Sequence, residues 1–446
     1  MIEELEEKLD SFDPAERKQA LLSLCEKVES GKIALPKAGT DVNLHCHTFF
    51  SYNSYGHSPS KFAWLARKAG LAVAGVVDFD VLDGLEEFLE VGRMLGLKAC
   101  AGLETRVFVP EFADKVINSP GEPGISYHMG VGFPRADLEA EQKEFLIGLG
   151  KTAQQRNRLL CEQVNEYLQP VELDYEKNVL PLTPAGNATE RHLCLAYARK
   201  AKELFGDDRK LADFWSEKLG VDASSLELPE GIELLNKIRD KTMKRGSVGY
   251  MVPDKGSFPL MADTNRFVLA AGGIPTMTWL DGTSESERAI EELLEVAMSS
   301  GAAAINVIPD RNYEPGVKGE KLENLYQVVG LAEKLHLPVV VGTEMNSPGQ
   351  KFVDDFNSRE LSPLLRVFLK GAYIVYAHSV LQQRAGLGYT SDWAKKNFGS
   401  LAEKNEFFQK LGSSLEPQRE EVLADLSENA TAQQIKERIA TKKLKR

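Results

Sequence analysis

The constraint that most limits this chain is a rhythm. Over 41–136 and again over 266–390, short and almost wholly apolar runs alternate with helical patterns. The runs read as strands at 41–47, 72–78, 98–104 with an extension at 107–109, 126–133, 273–279, 302–309, 338–344 and 372–378. Strands that are apolar on both faces and separated by helices belong to a parallel sheet covered on both sides. Helix punctuation agrees: Ser58-Pro59 opens a helix that Gly70 ends, and Gly96 ends the helix over 83–95. The rhythm breaks over 137–265, where helices are predicted at 139–168, 188–204, 207–219 and 229–245, so this segment reads as a helical insertion. Residues 1–40 read as a helical extension, with Asp13 capping a helix that starts at Pro14, and 391–446 as a charged helical tail.

Many of the strands end in side chains that can hold a metal. His45 and His47 stand at i and i+2 in Val42-Asn43-Leu44-His45-Cys46-His47-Thr48, so on a strand they share a face. Taken alone, the pair reads equally as two satisfied core or surface histidines. However, Asp78 and Asp80, Glu104, His128, Glu344 and His378 also fall at strand ends. Several uncompensated buried charges at one rim would be costly, whereas a bound cation would compensate them. Barrel enzymes keep their chemistry at the C-terminal ends of the strands. An imidazole and carboxylate cluster without thiolate suits divalent Zn, Mn or Fe, and two such ions close together can clamp the attacking and leaving oxygens of a phosphoryl transfer.

Composition bounds the partners. With 446 residues and a net charge of −12, the chain has the length for a barrel with insertions and lacks the surface of a general nucleic-acid or anionic-membrane binder. The five cysteines include no C-x-x-C pair, and the acidic start Met1-Ile2-Glu3-Glu4 is not a secretory signal, so a cytoplasmic location is expected. No apolar run reaches the roughly 20 residues of a membrane span.

Asn43-Leu44-His45-Cys46-His47-Thr48, Gly102-Leu103-Glu104 and the histidine of the following strand, His128, resemble the motifs of the PHP (polymerase and histidinol phosphatase) superfamily. The resemblance implies a distorted TIM-like (β/α)7-type barrel with a metal site at the strand ends and a phosphoesterase activity. It also implies ligand sets. His45, His47, Glu104 and Glu344 stand where one metal is held, with Glu344 in place of aspartate. A second metal would take Glu104 and His128, but its third position is Trp279. A third would fall on Asn53, Phe79 and Asn346, none of them good ligands. Asp78, Asp80, Asp281, His57 and His378 are possible compensating groups. Glu190-Arg191-His192 in the insertion resembles an R-x-H-like segment of one phosphatase and exoribonuclease branch, which would add Arg191 and His192 as substrate-binding residues.

The resulting expectation is a metal-dependent hydrolase of a small phosphorylated substrate, a monoester or a nucleotide. Arg106, Arg191, Lys255 and Arg311 are the candidates for neutralising its phosphate, and Arg311 lies at the favoured end of strand 302–309. Asp80, His128 and Arg311 are the candidate catalytic residues. His336, at the N-terminal end of a strand, reads as structural. Two other readings stay open: a degenerate PHP-like binding protein without catalysis, motivated by Phe79, Trp279 and Asn346, and a nuclease, against which the acidic surface counts.

Overall fold

The computed structural model describes residues 1–222, 226–252, 256–316 and 319–441; Lys255 and the basic tail over 442–446 lie outside the described residues. In chain order the main elements are α1 (Ile2–Lys8), α2 (Pro14–Glu29), β1 (Val42–Cys46), α3 (Pro59–Ala69), β2 (Val73–Phe79), α4 (Leu85–Leu95), β3 (Lys98–Phe108) and β4 (Ile125–Val131). The helices α5 (Ala140–Tyr167), α6 (Glu190–Phe205), α7 (Asp208–Leu219), α8 (Ile232–Thr242) and α9 (Met261–Ala270) follow. Then come β5 (Ile274–Thr278), α10 (Glu285–Arg288), α11 (Ile290–Ser299), β6 (Ala304–Val307), α12 (Glu320–Lys334), β7 (Val339–Val341), α13 (Leu365–Ala385), α14 (Asp392–Asn397), α15 (Leu401–Ser414) and α16 (Ala432–Thr441). The chain forms two compact units. One comprises Met1–Thr48, Asn53–Lys143 and the chain from Phe258 onward; the other comprises Phe49–Tyr52 and Glu144–Ser257.

The first unit is a seven-stranded sheet in the order β1 to β7, rolled into a nearly closed barrel with helices around it. This is an α/β fold of distorted TIM type. The gap between β7 and β1 is bridged by the backbone of Glu344, whose N–H donates to His45 O at 2.7 Å and whose carbonyl accepts from His47 N at 2.8 Å. Asn43 Nδ2 adds a bond to Thr343 Oγ1 at 3.0 Å. The approach at this seam is close: a Cβ on Gly342 would lie 2.4 Å from both Asn43 Oδ1 and His45 N. Glycine is required there because no side chain fits.

Two expectations change. The sheet is not uniformly parallel, because β4 runs antiparallel to both β3 and β5. And 372–378 is not a strand: it lies within α13, one helix over Leu365–Ala385. A short apolar run reads alike as a buried strand or a buried helix, and α13 is apolar on most of its surface because it packs across the N-terminal mouth of the barrel. There Gly371 lies so close to Val339 at the start of β7 that any Cβ would meet its carbonyl. Tyr373 and Tyr376 flank the Lys98 ammonium at the start of β3, 5.9 and 5.0 Å from it.

His378 is therefore at the barrel end opposite the C-terminal rim. Its Nε2–H donates to Gly272 O at 2.9 Å, and its Nδ1 accepts from Tyr389 N at 2.8 Å. Both ring nitrogens are used in holding α13, so His378 is a structural residue rather than a metal ligand. His336, just before β7, is exposed, and its backbone carbonyl accepts from Asn405 Nδ2 at 2.8 Å.

The second unit is helical, with a core of Leu160, Val164, Leu193, Tyr197, Trp215 and Ile238. The helices foreseen at 139–168, 188–204 and 207–219 appear within two residues of those bounds, and the one foreseen at 229–245 is confined to Ile232–Thr242. No helix among the described residues is long and apolar enough to cross a membrane.

Two outcomes follow for the fold. Replacing Gly342 with alanine overpacks the seam, and a loss of about 1–3 kcal/mol in stability is expected by denaturant titration. Burial depresses His378 to about 3 and His128 to about 4, against about 6.5 in the unfolded chain. Below about pH 6.5 the unfolded chain takes up protons that the folded one refuses, so stability falls as pH drops, by about 1.4 kcal/mol per unit for each ring. In melting curves from pH 7 to 4, His378→Gln is expected to show a shallower acid decline than the wild type.

Candidate metal centre

The end of β1 delivers two imidazoles to the barrel interior and β3 delivers a carboxylate. His45 Nε2 lies 3.4 Å and His47 Nε2 3.1 Å from Glu104 Oε2. All three side chains are buried, with Glu104 at 1% exposure. Among the described residues they form the one group of three or more histidine, cysteine or carboxylate side chains whose ligand atoms lie within 4.8 Å of one another. Register explains the convergence. Glu104 is opposite Phe79 on β2, and residues opposite one another share a face. The Phe79 ring stacks on His47 at 4.3 Å, closing that side of the cluster.

The electrostatics fit a cation. Burial pushes the Glu104 carboxyl up, but His45 and His47 outweigh it and hold it down at about 2. Burial opposes charge on His45, yet Glu104, with smaller help from Glu344 and Asn306, raises its proton affinity. The site thus holds a fixed negative charge that draws positive charge to the facing nitrogens. His45 Nδ1 lies 3.2 Å from Asn306 Oδ1, and Asn306 Nδ2 donates to Val340 O at 3.3 Å. With its amide oriented in this way, Asn306 accepts the Nδ1 proton, so Nε2 is the ring atom left to face Glu104 with a proton or a cation between them. His45 Nε2 and Glu104 Oε2 make no hydrogen bond of good geometry among the described residues. Two imidazole nitrogens and one carboxylate oxygen, converging in a buried site, form a donor set that fits one divalent ion and leaves positions for water or substrate.

The other expected residues lie elsewhere. On β4, His128 is opposite Thr105 while Met129 is opposite Glu104, so His128 faces away from the cluster. Its Nε2 meets Asn265 Oδ1 of α9 at 2.6 Å, and burial pushes the ring down to about 4. The antiparallel strand, invisible in the pattern of apolar runs, puts it there, and the expectation of a ligand or catalytic role is corrected. Asp78 is turned to the face opposite Phe79, where its carboxylate accepts from Thr48 N at 2.8 Å and Thr48 Oγ1 at 2.7 Å. It ties down the turn after β1 instead of joining the metal set. Asp80, in a left-handed conformation with φ 60°, accepts from Thr105 Oγ1 at 2.6 Å. Burial, with Glu104 adding and Thr105 and Arg106 opposing, raises its carboxyl to about 6.

Glu344, also left-handed at φ 63°, turns its carboxylate to Arg311 rather than into the triad. Its Oε2 accepts from Arg311 Nε at 3.0 Å, Arg311 Nη2 at 2.6 Å and Gln350 Nε2 at 3.0 Å. Arg106 pairs with Glu122 at 3.1 Å and lies over the Phe258 ring. His57 pairs with Asp10 at 3.1 Å, fastening the N-terminal helices, and Asp281 pairs with Lys321 at 2.8 Å. Asn53 Nδ2 donates to His47 O at 2.8 Å, and Trp279 is buried in the barrel core. In the helical unit, Arg191 donates to Asn236 Oδ1, and His192 Nδ1 accepts from Thr189 N at 3.0 Å, which caps the start of α6. That local capping accounts for the position of His192. The residues that the sequence did not reveal are Asn306 and Gln350; a polar side chain inside the otherwise apolar run Ala304–Val307 was the available signal for Asn306.

No family model and no curated protein matches the chain. Solved structures similar to it include the following two. One is an amidohydrolase from Chromobacterium violaceum with bound sulfate and no metal, at 14% identity and a TM-score of 0.49, covering 74% of this chain and 96% of that one. The other, from Bifidobacterium adolescentis, is assigned as a metal-dependent phosphoesterase, at 16% identity and a TM-score of 0.48, covering 75% of this chain and 98% of that one. The likeness is one of backbone path and assigns no activity.

The geometry predicts about one tightly bound divalent ion per chain. His45→Ala and Glu104→Ala are expected to abolish binding, as read by elemental analysis after dialysis. Asn306→Ala is expected to weaken it by about 10–100-fold, the usual effect of removing the partner that orients a ligating histidine.

Proposed function

We propose that this chain is a metal-dependent hydrolase of the PHP type that cleaves a small phosphate ester. The observation that carries this reading is the buried convergence of His45, His47 and Glu104 at the ends of two barrel strands. A divalent ion bound there would supply Lewis acidity and activate water at neutral pH. His45, His47 and Glu104 hold it, and Asn306 keeps His45 in the ligating tautomer. The Arg311 side chain, 43% accessible, offers the substrate's phosphoryl oxygens a cation at the rim. Asp80 is the proton carrier nearest in character to the task, since its carboxyl is raised to about 6. The net charge of −12 favours a compact monoester or nucleotide over a long nucleic acid.

One observation favours a second reading. The Phe79 ring covers His47 where a further ligand would have to approach, and Trp279 is packed into the core. A protein with these replacements could retain metal and ligand binding without turnover.

Metal-loaded protein screened for phosphate release over nucleotides and sugar phosphates, with added Mn, separates the two. Release is expected, abolished by His45→Ala and lowered by Asp80→Asn at unchanged metal content. No release from any substrate by a fully loaded protein would overturn the catalytic reading in favour of the binding one. A labelled oligonucleotide in the same screen is expected to stay intact.

A further inference from the structure

The contact between Arg311 and Glu344 has an unusual form. A guanidinium presents two parallel N–H groups, and its best partner spreads two oxygens across them. Here Arg311 Nε and Nη2 both converge on a single oxygen, Glu344 Oε2, at 3.0 and 2.6 Å. Gln350 Nε2 donates to the same atom at 3.0 Å. Three donors thus share one acceptor atom. An anion with several oxygens would satisfy them separately. Gln350 is itself anchored, its Oε1 accepting from Ser347 N at 2.8 Å, so its amide is held toward the same place.

Access is asymmetric. The Glu344 side chain is 6% accessible and approaches from inside, whereas the Arg311 side chain is 43% accessible. The arginine side of the pair is thus the one a solute can reach. The Glu344 backbone pairs with His45 O at 2.7 Å and His47 N at 2.8 Å, so the pair stands beside the candidate metal cluster.

We infer that Arg311 and Gln350 form an oxyanion subsite and that the Glu344 carboxylate occupies it in the resting protein as an internal competitor of the substrate. This rests on the hydrolase reading for the placement of the reacting group next to the subsite. The ligand class is an oxyanion, phosphoryl or carboxylate. Such an anion displaces Glu344 from Arg311 and takes its three donors on separate oxygens. Its apparent affinity is lowered by the free energy of breaking the internal pair. A ligand that cannot offer two or more oxygens does not open the contact. Glu344 therefore works as a specificity residue that keeps the Arg311 guanidinium from weak monodentate anions.

The test is equilibrium binding of inorganic phosphate, and separately of malonate, to the full chain loaded with Mn. Glu344→Gln keeps the side-chain shape and removes the competing charge. It is expected to bind phosphate at least about fivefold more tightly than the wild type, within the usual range of such couplings. The double variant Arg311→Met with Glu344→Gln is expected to lose the whole gain. Its melting curve reports whether it folds; should it not, Gln350→Ala on the Glu344→Gln background takes its place, with partial loss expected. A gain for phosphate alone identifies a tetrahedral oxyanion, and an equal gain for malonate identifies a subsite for either class. An unchanged or weaker phosphate affinity in Glu344→Gln, or a gain that survives loss of Arg311, overturns the inference. Metal content measured on the same samples keeps the two readings apart: a chain that binds no metal defeats the hydrolase reading, while the phosphate result still decides the subsite.

Discussion

The architecture hangs on the pairing of Glu344 with both sides of Cys46. Seven strands in sequential order leave two free edges, and a sheet edge left open is a row of unsatisfied donors and acceptors. The Glu344 backbone closes that gap with two bonds to His45 and His47, the residues that flank Cys46. The same contact holds the backbone that carries both imidazoles. Gly342 makes it possible because nothing larger than hydrogen fits against Asn43 and His45. The left-handed backbone at Glu344 and Met345 is part of that closure. Left-handed geometry in two consecutive residues with side chains costs about 1–3 kcal/mol each and persists where the surroundings over-determine it, as they do at functional sites.

A buried carboxylate is the second constraint. Glu104 is 1% exposed and would be expelled from such a place if it stood alone. His45 and His47 supply the compensating charge, and a divalent cation would supply it more fully. The remaining polar side chains near the rim have found partners of their own: Asp78 with Thr48, Arg106 with Glu122, Arg311 with Glu344. Their engagement narrows the metal-binding claim to three residues and separates what holds the ion from what holds the turns around it.

Much of this was legible in the sequence, for identifiable reasons. Strand β1 and its H-x-H pair were readable because a period of two fixes the face of each side chain. Helices α3 and α4 announced their ends through Gly70 and Gly96, both left-handed in the structure. Glu104 was readable because it closes an apolar run. His128 was not, since its face depends on strand direction: the reversal of β4 puts Met129, not His128, beside Glu104. His378 misled because a helix buried on most sides lacks the polar stripe that marks a surface helix. The Glu344–Arg311 pair and the Asn306–His45 bond join positions 33 and 261 residues apart, and no local pattern encodes them.

The seam has a further consequence for how the site comes into being. Asn43 and Thr343, which meet across it, are 300 residues apart in the chain, whereas β3 and β4 are near neighbours. Loop-closure entropy rises with the length closed, so the β1–β7 contact is among the costliest to form and the β3–β4 pair among the cheapest. Glu104 stands on the strand of the local pairing, and His45 and His47 pair by backbone across the long-range one. Shutting the ring therefore fixes the backbone on which two members of the candidate triad stand. An ion that binds the completed triad and nothing earlier stabilises the closed form by mass action. In this fold a bound metal would act as the latch on the barrel as well as the reagent inside it.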